Sequence, residues 1–233
     1  MACYHPLLAV PTDEVGKNGR RKYVPVMAYD RAKDFNPGIA FPGSIRIPCG
    51  QCRGCRLQNM REWADRMILE LDHSKKAVFL TLTYNDHHLP RTTDRETGEV
   101  VPTLSKRDLT NFLKRLRKQF KDRELRYYAC GEYGSNTNRP HFHIILFGLS
   151  KEDFNFNRLG DPEHRFDIIG SRIVWCGTNE LGQNYYKCDW LAEDVWTHGY
   201  VCLSDVSWKT CAYVARYVKK KDKGLIQAQQ NSL

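Results

Sequence analysis

No stretch of the 233 residues approaches the ~18 consecutive apolar positions that a spanning helix needs, so a helical membrane protein is excluded. The opening residues, MACYHPLLAV, lack a basic region followed by a long apolar run and do not read as a secretory leader. The sequence has no internal repeat, no low-complexity linker and no Walker-type phosphate loop, so a solenoid is not expected and neither is a fused helicase. Cysteines number nine, which cannot all pair, and without an export signal a full disulfide framework is not expected; a reducing compartment fits better.

What is present is a globular composition with an uneven charge. Apolar residues make up 41% and charged residues 27%, and 36 Lys and Arg stand against 27 Asp and Glu, a net charge of +9. The excess is concentrated in two places. Ser105–Arg126 holds nine basic and three acidic residues, Ser207–Leu233 holds six and one, and the remainder is close to neutral. Between Ser150 and Asp205 the balance is acidic, with five basic residues against ten. Two basic elements on a neutral body suit a polyanion-binding face, although a solvated basic surface explains the charge equally well.

The first fifty residues are rich in proline and read as irregular, with short strands near Lys22–Met27 and Ser44–Ile47. Helical spacing of apolar residues follows from Cys55 to Leu71, then a strand at Ala77–Tyr84 and a loop or hairpin tip through Arg91–Gly98. Ser105 and Asp108 open a helix whose apolar stripe is Leu109, Phe112, Leu113, Leu116 and Phe120. Two strands, Leu125–Tyr133 and His141–Gly148, come next, joined by a turn-rich segment. A strand at Arg172–Trp175, a short helix around Tyr186–Val195, a strand at Gly199–Val206 and a helix from about Trp208 to Lys221 complete the chain. The expected architecture is α+β: an antiparallel sheet of about five strands with helices packed on one face, on a split βαβ, ferredoxin-like plan. Residues 1–54 form a Pro/Cys-rich N-terminal arm packed on the main domain, 55–223 that domain, and 224–233 a flexible tail.

Three groups of residues can carry chemistry. His141 and His143 alternate on one strand and so share a face, where two imidazoles can chelate one cation. Glu132, on the preceding strand, is the candidate third ligand, and two partly buried histidines at a strand edge are the bland alternative. Tyr213 and Tyr217 lie one helical turn apart, beside Arg216 and the lysines 219–221; core packing is the common reason for such a pair, and phenols used as nucleophiles need a cation nearby. Lys220 and Lys221 fall within reach of Tyr217. The third group, Cys49, Cys52 and Cys55, has the spacing of a structural zinc site with Cys3 or His5 as fourth ligand; an iron–sulfur site and three small buried side chains are the alternatives.

Taken in order, FLTLTY (Phe79–Tyr84), CGEYG with RPHFHIILFG (Cys130–Gly148) and YVARYVKK (Tyr213–Lys220) resemble the HUH endonucleases that initiate rolling-circle replication. The resemblance is closest to the initiators of small single-stranded DNA phages, the microviruses and especially the gokushovirus group, which the cysteine-rich segment CGQCRGCR (Cys49–Arg56) also resembles. The resemblance implies Mg²⁺ or Mn²⁺ held by Glu132, His141 and His143. It implies attack on a scissile phosphate by Tyr213 or Tyr217, a 5′-phosphotyrosine link, a 3′-OH primer and later rejoining, with Lys220 assisting. Lys114, Arg115, Arg117, Lys118, Arg139 and Lys221 are candidate DNA contacts, Arg139 serving equally well as a brace for its turn. The partners are then single-stranded origin DNA and a host helicase and polymerase, with no membrane, in the cytoplasm of a bacterial host. A non-enzymatic nucleic-acid-binding accessory protein is the first rival, a plasmid initiator or transposase of the same superfamily the second.

Overall fold

The computed structural model describes residues 3–32, 41–134, 137–159, 168–179 and 182–217. The chain forms two compact units, Met1–Glu62 and Trp63–Leu233, and the division falls within the helix α1, Arg53–Ser74.

In the first unit β1 (Leu7–Val15), β2 (Arg21–Ala28) and β3 (Ile45–Ile47) make an antiparallel sheet in the order β2-β1-β3. β1 is a strand in a stretch that reads as irregular. Its Pro11 lacks an N–H, and the pairing of β1 with β2 slips after Leu8 and again between Pro11 and Val15, where such a residue is tolerated.

The second unit is built on β4 (Ala77–Tyr84). A small hairpin of β5 (Arg91–Thr93) and β6 (Val100–Pro102) follows, then α2 (Lys106–Gln119), β7 (Arg126–Tyr133) and β8 (Pro140–Phe147). A second hairpin, β9 (Phe156–Leu159) and β10 (Ile168–Ser171), precedes β11 (Ile173–Thr178), β12 (Asn184–Cys188), β13 (Gly199–Asp205) and α3 (Trp208–Tyr217). The α+β expectation holds, with six strands rather than about five, in the order β11-β12-β13-β4-β8-β7 and antiparallel throughout. Because β8 lies between β4 and β7, the latter two run parallel and α2 is their crossover, the split βαβ unit.

The added strand is β12. The sequence predicts a helix from Tyr186, but Asn184–Cys188 pairs with β11 on one side and β13 on the other. Two vicinal tyrosines suit a half-buried pleated surface, and two ladders outweigh helical spacing. Helix remains only at Leu191–Trp196, one wide turn closed by the Thr197 N–H on the Ala192 carbonyl at 2.9 Å. At Gly199, φ is +151° and a Cβ would lie 2.4 Å from the Thr83 carbonyl oxygen; glycine lets β13 close on β4 there.

Alternation on β8 divides the sheet into two faces. Phe142, Ile144 and Leu146 join Leu80, Leu82, Val201, Leu203 and Trp196 in the main core, where α2 inserts Phe112, Leu113 and Leu116. The Ser105 hydroxyl caps α2 by accepting from the Asp108 N–H at 3.3 Å, as the sequence predicts. The opposite face carries His141, His143 and Ile145. It is covered over β7 and β8 by α3, while Trp63 packs on Tyr128 at 5.3 Å between ring centroids. Helices therefore lie on both faces rather than one, because β8 is apolar on both from Ile144 to Phe147.

Candidate active site

The register of three strands assembles the first constellation. Glu132 pairs with His141, and Cys130 with His143, so Glu132 and both histidines stand on one face of β7 and β8. Their donor atoms lie within 4.8 Å of one another. His143 Nε2 is 3.0 Å from Glu132 Oε2 and 3.1 Å from His141 Nε2.

Both rings are oriented from behind. The Arg139 carbonyl oxygen lies 3.1 Å from His141 Nδ1 and can only accept, so Nδ1 carries the proton and neutral His141 presents an unprotonated Nε2. On the neighbouring strand β4, Thr81 is opposite His143, and its hydroxyl lies 3.1 Å from His143 Nδ1. Phe79 stacks on the same ring at 5.4 Å. Two imidazole nitrogens and a carboxylate oxygen converging from a rigid sheet are a donor set for one divalent cation.

Both tyrosines of α3 reach this group. The Tyr213 hydroxyl donates to Glu132 Oε2 at 3.2 Å and lies 3.5 Å from His143 Nε2. Tyr217, one turn on, has its ring 5.0 Å from Tyr213 and 6.1 Å from His143, and its hydroxyl hydrogen-bonds Glu132. The helix buries Cys211, Val214 and Ala215 on neighbouring positions, which sets the two phenols toward the sheet.

Electrostatics follow from this crowding. Burial pushes the Glu132 carboxyl up, yet hydrogen bonds from His143 and Tyr217 and the nearby imidazoles more than offset it, so the net displacement is downward. Burial lowers His143, with Glu132 opposing. Burial raises both phenols, and the Glu132 charge adds to it, so each is held protonated in the site as it stands.

The basic residues divide differently from the expectation that both basic elements flank this site. α2 packs on the core face, opposite the histidines, so Lys114 and Lys118 are exposed on the far side of the sheet. Arg115 is not a free phosphate donor. Its guanidinium donates to the carbonyls of Val195 at 2.7 Å and Trp196 at 3.1 Å and to the Thr197 hydroxyl at 3.3 Å, tying down the wide turn before β13. Arg117 donates to the Leu125 carbonyl at 3.2 Å and lies over the Tyr127 ring, again on the core-face side. Arg139 takes the bracing role: it donates to the Tyr84 carbonyl at 2.6 Å and pairs with Asp86 just after β4. Lys220 and Lys221 lie outside the described residues, as does the segment 224–233.

Two further residues on the histidine face escape sequence reasoning. Continuous pairing places Tyr200 of β13 opposite Thr83, itself opposite His141, so the three form a row across the sheet. Tyr200 is 66% exposed, a large aromatic surface in line with the metal donors. One row over, exposed Lys187 pairs with Cys202, which is opposite Thr81 and hence His143. Strand alternation around Gly199–Val206 was the available signal for Tyr200, but the order of strands was needed to place it. Thr81 was hidden likewise within FLTLTY. Within the first unit, Cys3 joins Cys49, Cys52 and Cys55, all four sulfurs lying within 4.8 Å of one another.

Comparison with known proteins adds the lineage. The family model for the ORF2-type replication-associated protein matches residues 77–222. The chain is 32% identical over 185 residues to the replication-associated protein VP4 of Bdellovibrio phage phiMH2K, covering 76% of this chain and 49% of that protein. It is 30% identical over 227 residues to the replication-associated protein ORF2 of Spiroplasma virus 4, covering 95% and 61%. It is 26% identical over 197 residues to the replication-associated protein ORF4 of Chlamydia phage 1, covering 83% and 41%. The chain thus spans about half the length of the curated relatives it matches. No solved structure matches it. Among the described residues no helix is long and apolar enough to cross a membrane. The matched segment runs from β4 through both tyrosines and contains the whole constellation, and the chain belongs to the ORF2-type family of replication-associated proteins.

Proposed function

We propose that this chain initiates rolling-circle replication by nicking single-stranded origin DNA and later rejoining it. The observation that carries the proposal is the Tyr213 hydroxyl, 3.2 Å from Glu132 Oε2, which is itself 3.0 Å from His143 Nε2. A candidate nucleophile and a candidate cation site share one carboxylate.

Glu132, His141 and His143 would hold Mg²⁺ or Mn²⁺; when bound, the cation supplies Lewis-acid polarisation of a phosphate oxygen. The Tyr213 oxygen attacks phosphorus in line, its proton leaving to solvent, while the bond from phosphorus to the 3′-oxygen breaks. The products are a 5′-phosphotyrosine and a 3′-OH, the departing oxygen taking up a proton. The 3′-OH primes a host polymerase after a host helicase opens the duplex. Attack by that 3′-OH, or one generated by Tyr217, reverses the linkage and joins the ends. Two phenols facing one site permit a second cut while the first remains occupied. The working location is the cytoplasm of the infected bacterium.

The DNA strand runs over the open part of the histidine face. Tyr200 offers a base-stacking surface and Lys187 a phosphate contact, both in register with the donors.

The test is a labelled single-stranded origin fragment incubated with the protein and Mn²⁺, followed by denaturing electrophoresis in SDS. A protein–DNA adduct is expected, lost in His141→Ala and in the Tyr213→Phe, Tyr217→Phe double variant. An adduct that survives in the double variant overturns the nucleophile assignment. Sequence-tolerant binding without any adduct favours the accessory-protein reading.

A further inference from the structure

The four cysteines of the first unit take no part in the proposed chemistry, and the way the fold gathers them points to a second, separate site. β1 and β3 pair antiparallel with Leu7 opposite Ile47. Cys3 precedes β1 and Cys49 follows β3, so the pairing delivers both to the same end of the sheet. Cys52 stands immediately before α1 and Cys55 in its first turn. Three separate backbone segments thereby bring four sulfurs together.

Their geometry suits one tetrahedral ion. Zn–S bonds of about 2.3 Å place the sulfurs of a ZnS₄ tetrahedron about 3.8 Å apart. Here Cys49 and Cys55 are separated by 4.0 Å, Cys52 and Cys3 by 3.9 Å, and no pair exceeds 4.8 Å. Iron–sulfur clusters distribute their cysteines over several irons and need wider spacing. Backbone N–H groups already point at the sulfurs, as they do where thiolates must be stabilised. Cys52 Sγ accepts from Tyr4 and Cys55 N–H at 3.4 Å each, Cys49 Sγ from Cys52 N–H at 3.4 Å, and Cys3 Sγ from Cys49 N–H at 3.3 Å.

An independent observation says why such a site is needed. Among the described residues of Met1–Glu62, the buried hydrophobic side chains are Cys3, Leu8, Ala9 and Cys55. β2 is exposed along nearly all its length. A unit of this size with so little core requires a cross-link, and half of its buried apolar set is cysteine.

We infer that Cys3, Cys49, Cys52 and Cys55 form a structural zinc site that fastens the chain start to β3 and to the beginning of α1, with Cys3 rather than His5 as the fourth ligand. This site is independent of the nicking proposal.

The full chain carrying His141→Ala, which disables the catalytic donor set, is purified without chelator and its metal measured by mass spectrometry. About one zinc per chain is expected. Cobalt substituted for zinc is expected to give the intense thiolate-to-metal charge-transfer bands and visible colour of a tetrahedral thiolate site. Adding Cys3→Ser should weaken zinc binding at least about tenfold, whereas Cys176→Ser should leave it unchanged. Where Cys3→Ser fails to fold, chelation of zinc from the parent protein replaces it: four thiols should become reactive together as the metal leaves. Metal-free protein with freely reactive thiols, bound iron in place of zinc, a disulfide among these cysteines, or undiminished zinc affinity in soluble Cys3→Ser would each overturn the assignment.

Discussion

The Thr81 hydroxyl lies 3.1 Å from Nδ1 of His143, across the β4–β8 ladder and on the side of the ring away from Glu132. A contact of this kind fixes a ligand's orientation without touching the cation, and second-layer partners typically govern metal affinity by about 10–100-fold. Thr81→Val retains β-branching and removes the hydroxyl. It is expected to leave thermal stability nearly unchanged while raising the Mn²⁺ concentration for half-maximal adduct formation at least about tenfold. A metal titration of adduct yield, beside a melting curve, checks this; an unshifted titration removes Thr81 from the site.

Tyr200 and Lys187 should separate two components of DNA affinity. Tyr200→Ala removes a stacking surface worth about 1–3 kcal/mol per base and should weaken single-strand binding without altering its salt dependence. Lys187→Ala should lower the slope of log affinity against log salt by about one phosphate contact, near ~0.7. Fluorescence anisotropy over a range of salt concentrations distinguishes them. Equal slopes for wild type and Lys187→Ala would reject that contact.

Arg115 behaves as a structural residue. Arg115→Ala strips hydrogen bonds from the carbonyls of Val195 and Trp196 and from Thr197, and a destabilisation of about 1–3 kcal/mol is expected in urea unfolding. The pair Lys114→Ala, Lys118→Ala, on the core-face side of the sheet, should leave adduct formation intact at moderate salt. A strong loss of adduct in that pair would show that DNA also wraps the α2 side.

Acid stability should depend on Asp153. Burial alone would raise its carboxyl, but the Ser150 N–H and Lys76 hold it below the usual carboxylate range. The Ser150 N–H donates at 2.8 Å and Lys76 Nζ lies 3.0 Å from the carboxylate. A depressed folded-state pKa contributes stability that is present above the unfolded value, near ~3.9, and lost as pH falls through the folded one. Asp153→Asn should therefore cost about 1–2 kcal/mol at neutral pH, with the difference from wild type shrinking below about pH 4. Urea unfolding at several pH values measures it, and a pH-independent difference would contradict the account.

Chain order alone determined the residue inventory: the alternating His141 and His143, the Tyr213–Tyr217 spacing, the cap at Ser105 and the strand Ala77–Tyr84. Each is a local pattern of period two or near four, fixed by backbone geometry whatever lies around it. Tertiary structure decided everything that depends on who pairs with whom. Ladder register put Glu132 beside His141, Thr81 behind His143 and Tyr200 in line with both, and strand pairing on two sides turned Tyr186 from helix to sheet. The basic charge on α2 was legible as composition, but only the face on which Phe112 and Leu116 are buried turned it away from the histidines. Burial of an apolar stripe contributes several kcal/mol and sets a helix's side of the sheet, whereas exposed charges contribute little and follow where it leads.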